Sequence, residues 1–341
     1  MRPISILASG MVTCVGLDSR SSCAAIRCAI DNFSETRFMD RGGEWIIGAQ
    51  VPLEQPWRGL TKLVHMAVSA IRECLAHAGV HPSQIPLLLG VAEKERAGRL
   101  EGLDDQLFEQ IQNELAVRFH PRSGVVAKGR VAGALALGAA RELIYNEDVP
   151  FCIVAGVDSY LLASTLAAYE EKARLLTSQN SNGFIPGEAA AAILVGPGIA
   201  KADLLCYGIG TGLEKSTIES EEPLKADGLV QAFSTAFQDA QRGYEHVDYR
   251  LTDANGEQYW FKEAALAMTR TLRLRKENFE MWHPADCIGE TGAAGISSAI
   301  SVALAGARNR YAPGPGILGH FGSDDGQRFA MILGSSERWS H

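Results

Sequence analysis

The sequence predicts an α/β protein built from two similar halves. Short continuous apolar runs, typical of strands buried on both faces, alternate along the chain with segments of helical periodicity. The same order starts again after Gly196-Pro197-Gly198, the strongest break in the chain. This repeat indicates an internal duplication with mostly parallel sheets covered by helices on both faces. It divides the chain into residues 1–197 and residues 198–341.

The first half opens with an apolar strand at residues 4–9. Residues 61–78 have apolar side chains at helical spacing, and Gly79 marks the end of that helix. The charged run at residues 93–102 is expected to form an exposed face. The other elements expected here are helices at 18–29, 104–119 and 161–176 and strands at 85–92, 151–156 and 189–195.

The centre of the first half is residues 125–138, where a short β-branched run enters a tight turn and leaves as a helix rich in Ala and Gly. Such a turn holds one residue at a helix N-terminus, which suits a nucleophile. Arg130 is the residue best placed there, and an arginine stays protonated in a protein, so it cannot attack a carbonyl. The strand, helix and following strand predict a parallel pair with a right-handed crossover.

The second half repeats this alternation. A turn at residues 289–295 opens its last helix much as residues 129–133 open the earlier one. The expected strands are 202–208, 247–252, 316–320 and 329–333, and the expected helices are 223–241, 261–272 and 296–307.

Composition excludes several classes of function. The 341 residues are 46% apolar and 21% charged, with a net charge of −8 that argues against nucleic-acid or membrane-surface partners. No apolar stretch is long enough to cross a bilayer and no signal-peptide pattern opens the chain, so we expect a cytoplasmic protein. Seven scattered cysteines without a Cys-x-x-Cys pair argue against disulfides and zinc, and we expect neither a cofactor nor a metal.

Five segments, in order along the chain, resemble motifs of the thiolase superfamily, and within it the β-ketoacyl-acyl-carrier-protein synthases. They are residues 10–16 (GMVTCVG), 154–156 (VAG), 183–190 (GFIPGEAA), 289–295 (GETGAAG) and 321–322 (FG). The resemblance implies a thiolase-like five-layered αβαβα fold of two pseudo-symmetric halves and a tight dimer. In an active synthase it also implies a cysteine that takes an acyl chain, with two histidines stabilising the enolate and oxyanion.

The chain departs from that resemblance at each reactive position. Arg130 stands where the family has its cysteine, Asn255 where it has the first histidine, and Glu290 where it has the second. No cysteine lies between Cys74 and Cys152 to replace the missing one. We therefore predict no confident catalytic residue, and we treat Arg130, Asn255 and Glu290 as vestigial triad positions.

Two interpretations of Arg130 remain open. It forms a buried ion pair with Glu290, because buried charges need partners, or it binds a carboxylate or phosphate, because guanidinium suits oxyanions. Other candidates have simpler interpretations, namely His246, His283 and His320 as polar surface or core groups, Asp324-Asp325 as a solvated loop, and Glu188 as an acceptor for backbone amides.

These observations favour a non-catalytic scaffold over an enzyme. The resemblance suggests two contexts: a chain-length-factor-like subunit beside an active synthase, or the short thiolase-like proteins of type VI secretion gene clusters, acting as adaptors or chaperones. Either implies a protein partner and a homodimer or heterodimer through the thiolase-type interface. The alternative is an acyltransferase or thioester-binding enzyme with a site rebuilt around Glu290 or Asn255; a bound acyl thioester is the less favoured ligand.

Overall fold

The computed structural model describes residues 2–335, and its first half contains seven strands and five α-helices in this order. The elements are β1 (Ile4–Val12), α1 (Ser19–Arg27), β2 (Ser34–Met39), β3 (Trp45–Gly48), α2 (Gly59–Ala78), β4 (Leu87–Val91), α3 (Gln106–Leu115), β5 (Gly124–Ala127), α4 (Ala132–Asn146), β6 (Cys152–Ser159), α5 (Ala163–Glu171) and β7 (Glu188–Pro197). The predicted elements of this half are all present, with ends that differ by a few residues. The β2–β3 hairpin lies in a stretch for which the sequence suggested no element.

The second half follows the same plan. Its elements are β8 (Leu204–Leu213), α6 (Asp227–Ala240), β9 (Tyr249–Thr252), α7 (Gln258–Thr271), β10 (Met281–Trp282), α8 (Ala285–Ile288), α9 (Gly295–Arg308), β11 (Gly316–Gly322) and β12 (Gln327–Gly334). Short 3₁₀ turns, Gly129–Val131 and Gly292–Ala294, lead directly into α4 and α9. The two turns that were predicted to be similar are thus both 3₁₀ turns at the start of a helix.

The strands form one ten-stranded sheet whose order exposes the duplication. The order is β10-β9-β11-β12-β8-β1-β7-β6-β4-β5, so β8, β12, β11, β9 and β10 mirror β1, β7, β6, β4 and β5. The halves meet where Ile4–Ile6 of β1 pair antiparallel with Leu204–Cys206 of β8. β5 has β4 as its single neighbour among the described strands and therefore forms one edge of the sheet.

Apolar clusters show how the layers are stacked. One cluster joins α4 and α9 to strands of both halves, including Val154, Ile193 and Met331. A second packs α2 on the outer face of the first half, and a third packs α6 and α7 on that of the second. Helices α4 and α9 are therefore the middle layer of a thiolase-like αβαβα fold, and burial of their Ala- and Gly-rich surfaces explains that composition.

Two predictions about the sheet are wrong. It is not mostly parallel, because β1, β7, β8 and β12 pair antiparallel with their neighbours. β5 and β6 are not adjacent either, since β4 lies between them and is parallel to both. Apolar patterning identifies a buried strand but carries no information on which strand pairs with it.

No helix within residues 2–335 combines the length and the apolar character needed to cross a bilayer.

Candidate functional site

Arg130 lies in the tight turn between β5 and α4. The turn begins at Gly129, whose φ is +51°, and a Cβ there would lie 2.0 Å from Oε2 of Glu93, so the position favours glycine. The turn holds Arg130 at the start of α4 with 5% of its surface exposed. The sequence therefore located the turn and its residue, and the structure shows what surrounds them.

Two carboxylates and an indole enclose the guanidinium. Nη2 of Arg130 donates to the backbone oxygen of Asp253 at 2.9 Å and lies 3.1 Å from the Oδ2 atom of that residue. Nε lies 3.4 Å from Oε2 of Glu290, an ion pair without hydrogen-bond geometry, and the guanidinium lies 4.1 Å from the Trp260 ring centroid. Burial alone would lower the pKa of Arg130, but Asp253, Glu290 and Asp324 raise it above its ordinary value. Arg130 is thus a permanent cation at a helix N-terminus, where the dipole disfavours positive charge and the carboxylates offset it.

Glu290 and Asn255 complete the cluster that the resemblance singled out. Nδ2 of Asn255 donates to Oε2 of Glu290 at 2.6 Å, and the backbone N–H of Gly292 donates to Oε1 at 2.8 Å. Burial raises the pKa of Glu290 above that of an ordinary glutamate, although Arg130 opposes the shift. Burial likewise raises the pKa of Asp253. The structure therefore brings Arg130, Asn255 and Glu290 together and adds Asp253.

A second buried arginine, Arg174, stands beside this cluster. Its Nε and Nη2 atoms donate to the two carboxylate oxygens of Glu257 at 2.7 and 2.8 Å, and Nη1 donates to Oδ2 of Asp324 at 2.5 Å. Burial would raise the pKa of Asp324, but Arg174 and Arg130 hold it below its ordinary value. The sequence predicted a solvated loop for Asp324-Asp325. Asp325 is exposed, whereas Asp324 is half-buried and paired with Arg174, a contact that the sequence did not indicate.

Arg96 shows that the charged run at residues 93–102 is not simply an exposed face. Its Nη1 donates to Oδ1 of Asp158 at 2.7 Å, its Nε and Nη2 donate to Glu93, and it lies 4.2 Å from the Tyr160 ring centroid. Oδ2 of Asp158 accepts the backbone N–H of Ala293, in the turn before α9. Arg96 thus ties this run to the core, because Asp158 is buried within β6 and needs a cation.

A cavity of about 460 Å³ lies above Arg130. Its lining includes Lys128, Arg130, Tyr160, Tyr169 and Asp324. Within residues 2–335, Nη1 of Arg130 is buried without a hydrogen-bond partner, and it lies 4.0 Å from Oδ1 of Asp324. The cavity is therefore charged and aromatic, and its floor is an arginine.

None of the seven cysteines lines this cavity. Burial raises the pKa of Cys14, Cys152 and Cys206 to about 12 and that of Cys23 and Cys287 to about 11. Thiols with such values are neutral near pH 7 and are weak nucleophiles. No cysteine thiol therefore lies at the position of Arg130 at the start of α4.

The three histidines also lie outside the cavity. His246 and His283 pair with Glu245 and Asp286 and keep part of their side chains exposed. His320, in β11, is buried at 5.8 Å from the Phe233 ring, and burial lowers its pKa to about 3. The positions of His246 and His283 at the surface and of His320 in the core agree with the interpretation of the three histidines as surface or core groups.

Glu188 accepts the backbone N–H of Val51 at 3.0 Å, as predicted. It also pairs with the buried Lys62 and accepts the Ser159 hydroxyl at 3.0 Å, two contacts that the sequence did not indicate. Across residues 2–335, no three His, Cys, Asp or Glu side chains converge in a way that could hold a metal ion.

Four residues of the site were not among the sequence candidates: Asp253, Trp260, Arg174 and Glu257. A usable signal existed, since residues 253–257 follow directly on β9 and side chains at the carboxyl ends of strands often face a common site. The partner of each charge could not be predicted, because Arg174 and Asp324 are 150 residues apart in the chain.

The fold is the thiolase-like fold of ketosynthases. One similar solved structure is a ketosynthase (ApeO) in complex with its chain length factor (ApeC) from Xenorhabdus doucetiae, with a TM-score of 0.77, 14% identity and 98% of each chain covered. A second is AntDE:AntF, a type II PKS acyl-carrier protein in complex with its ketosynthase bound to the hexaketide (TM-score 0.79, 13% identity, 98% of this chain and 99% of that chain covered).

A third is the ketosynthase from module 6 of the bacillaene synthase from Bacillus subtilis 168, with a TM-score of 0.76 and 12% identity; 98% of this chain and 72% of that chain are covered. No protein-family model and no curated protein matches the sequence. At these identities the similarity establishes the fold, and the resemblance in the sequence motifs is confirmed at that level.

Proposed function

We propose that this protein is a non-catalytic ketosynthase-like subunit that acts by binding a protein partner. The observation that carries the proposal is Arg130, enclosed by Asp253, Glu290 and Trp260 at the helix start where a nucleophile would stand. A side chain that cannot lose its proton cannot begin acyl transfer. Asp253 and Glu290 balance the charge of Arg130, which supports a structural rather than a chemical role for the cluster.

The proposed partner is an active synthase, with this chain as the second subunit of a heterodimer. Support comes from neighbours described as a ketosynthase with its chain length factor and as the ishigamide ketosynthase/chain length factor. An adaptor or chaperone role in a type VI secretion system is the other context that the sequence resemblance suggests. Neighbouring genes separate the two, because a carrier protein and an active synthase fit the first and secretion apparatus fits the second.

We place this function in the cytoplasm. All seven cysteines are free thiols, which suits a reducing compartment.

One observation favours the alternative, an acyltransferase or thioester-binding enzyme with a rebuilt site. Burial raises the pKa of Glu290, and buried carboxyls with raised pKa values are frequent among catalytic acids and bases. Both oxygens of Glu290 are already hydrogen-bonded, to Asn255 and Gly292, which favours a structural role.

The test is incubation of the purified chain with malonyl-loaded carrier protein and with acyl-CoA, followed by intact-mass measurement and assay of released CO₂. We expect no acyl adduct and no decarboxylation above the rate without protein. A covalent adduct, or decarboxylation that disappears in Glu290→Gln, would establish the enzyme instead. Stoichiometric co-purification with a co-expressed synthase is the positive result expected for the scaffold.

A further inference from the structure

A second cavity, of about 520 Å³, opens on the first half and shares no lining residue with the cavity above Arg130. The loop before α2, the first turn of α2, strand β2 and the turn after β6 surround it. Its apolar wall includes Leu53, Pro56, Trp57, Leu63 and Leu161. A volume of this size with apolar walls is typical of sites for small molecules.

Lys62 lies at this cavity as a buried cation with unused donors. Its ammonium group pairs with Glu188, and only 8% of the residue is exposed. An ammonium group has three N–H donors, and Glu188 is its one hydrogen-bond partner within residues 2–335. Glu188 in turn also accepts from Val51 and Ser159, so it is shared among three donors. A desolvated cation with donors to spare favours an anionic ligand.

The opening of the cavity adds positive charge. Arg37 and Arg58 line it, are exposed, and form no ion pair with any residue between 2 and 335. Arg58 is also the N-cap of the 20-residue helix α2, whose first turn has no side-chain cap and no acidic residue. Glu54 is the one exposed carboxylate in the lining. The cations of the lining thus outnumber its two carboxylates, Glu54 and the buried Glu188, and the cavity is net positive in a chain of net charge −8.

We propose that this cavity binds a small amphipathic anion, with its carboxylate or phosphate head between Lys62 and Arg58 and its apolar body against Leu53, Trp57 and Leu161. The anionic head group accepts hydrogen bonds from the donors that the protein leaves unused. Burial of the ligand's apolar body removes the apolar wall of the cavity from water. This site shares no residue with the Arg130 cluster, so a test of ligand binding here is independent of the test of the proposed scaffold function.

The test uses octanoate and octyl phosphate as probes, with octanol and octylamine as head-group controls. Binding is read from the indole N–H resonance of Trp57, assigned by its loss in Trp57→Phe. The Trp57 ring stacks on His65, with 3.6 Å between the ring centroids, so the indole has a defined position in the free protein from which a shift is measured. We expect saturable shifts with a Kd on the order of 1 mM for an anion of this size. The neutral and cationic controls should bind at least about tenfold more weakly, and the tighter of the two anions identifies the head group.

Variants locate the head-group site. Arg58→Gln should weaken binding about fivefold, whereas Arg275→Gln, which removes an exposed arginine outside the cavity, should leave it unchanged. Lys62→Met combined with Glu188→Gln removes both members of the buried pair and should weaken binding more than tenfold. If that double variant does not fold, binding is measured instead with Arg58→Gln and with Leu53→Asp, and both variants should weaken it. Octanol binding as tightly as octanoate, or Arg58→Gln binding like the parent, would overturn the proposal.

Discussion

Arg130 is a buried cation whose charge is balanced by Asp253 and Glu290, so its removal has a cost beyond lost packing. Arg130→Ala leaves two buried carboxylates without their cation, and we expect the free energy of unfolding to fall by about 3–5 kcal/mol. Glu290→Ala removes one of those carboxylates. The double variant should therefore lose about 1–3 kcal/mol less than the sum of the single losses.

Denaturant unfolding of the two single variants and the double variant measures this coupling, with Arg275→Ala as an exposed arginine control that should change stability by less than about 0.5 kcal/mol. Strictly additive losses would show that the 3.4 Å approach between Arg130 and Glu290 contributes nothing.

His320 makes stability depend on pH in a defined direction. Its pKa is lowered to about 3 by burial, with Arg250 adding to the shift, against an ordinary value of 6.5. Between pH 6.5 and about pH 3 the unfolded chain therefore binds up to one more proton than the folded chain. The contribution of His320 is fully present above pH 6.5 and falls by about 1.4 kcal/mol for each pH unit through that window.

Replacing His320 by leucine should remove this slope. The difference in unfolding free energy between the parent and His320→Leu should change by about 2–3 kcal/mol between pH 6.5 and pH 4.5. The exposed His77→Gln should track the parent across that range. A constant difference between parent and His320→Leu would mean that the pKa of His320 is the same in the folded and the unfolded chain.

The close approach of β6 to the turn before α9 depends on Gly156. A Cβ at that position would lie 1.9 Å from the backbone oxygen of Ala293, and backbone cannot move aside as a side chain can. We expect Gly156→Ala to destabilise the protein by about 2–4 kcal/mol. Gly138 in α4 is the matched control, because its Cβ would meet no atom within 4 Å.

Gly138→Ala should therefore raise stability by about 0.5–1 kcal/mol, as expected for alanine in a helix. Thermal unfolding monitored by circular dichroism measures both variants. Equal effects of the two substitutions would contradict the close approach.

The elements that the sequence predicted best are those defined by local patterns. Periodicity located α2 and α9 within a few residues, and the Gly-rich turns located the starts of α4 and α9. Strand β10 was missed because a two-residue strand has no period. Strand β4 was predicted, but its place between β5 and β6 was not, because strand pairing depends on contacts far apart in the chain. The ion pairs of Arg174 and Arg96 could not be predicted for the same reason, because the sequence shows each charged residue but not its partner.

Across the whole molecule, the duplication places equivalent turns at the starts of α4 and α9, on the two sides of one cluster. The first turn supplies Arg130 and the second follows Glu290, and Asp158 of β6 is bonded to the second turn through Ala293. Arg130, Asn255 and Glu290, the three positions that the resemblance singled out, therefore form one electrostatic cluster. Their identities were visible in the sequence, whereas their mutual contacts required the fold.

At the scale of the whole molecule, β5 is an edge strand of the sheet within residues 2–335, and we expect it to be a surface for association. β5 contains Gly124, Val125, Val126 and Ala127, each partly exposed, with no charge to discourage pairing. Pairing of β5 with the same strand of a second chain would satisfy its unpaired backbone groups under two-fold symmetry. When the chain is purified without a synthase, we therefore expect it to pair with itself and to have twice its 36.7 kDa mass by light scattering.

Gly124→Lys should convert that dimer to a monomer, because it brings like charges together at the edge, while its Cβ meets no atom within 4 Å in the single chain. Gln231→Lys, which adds the same charge to the exposed surface of α6, should remain dimeric. If the parent is monomeric alone, the same pair of variants measured with a co-expressed synthase separates a heterodimer through β5 from association through another surface. Gly124→Lys that still assembles like the parent would show that β5 is not the interface.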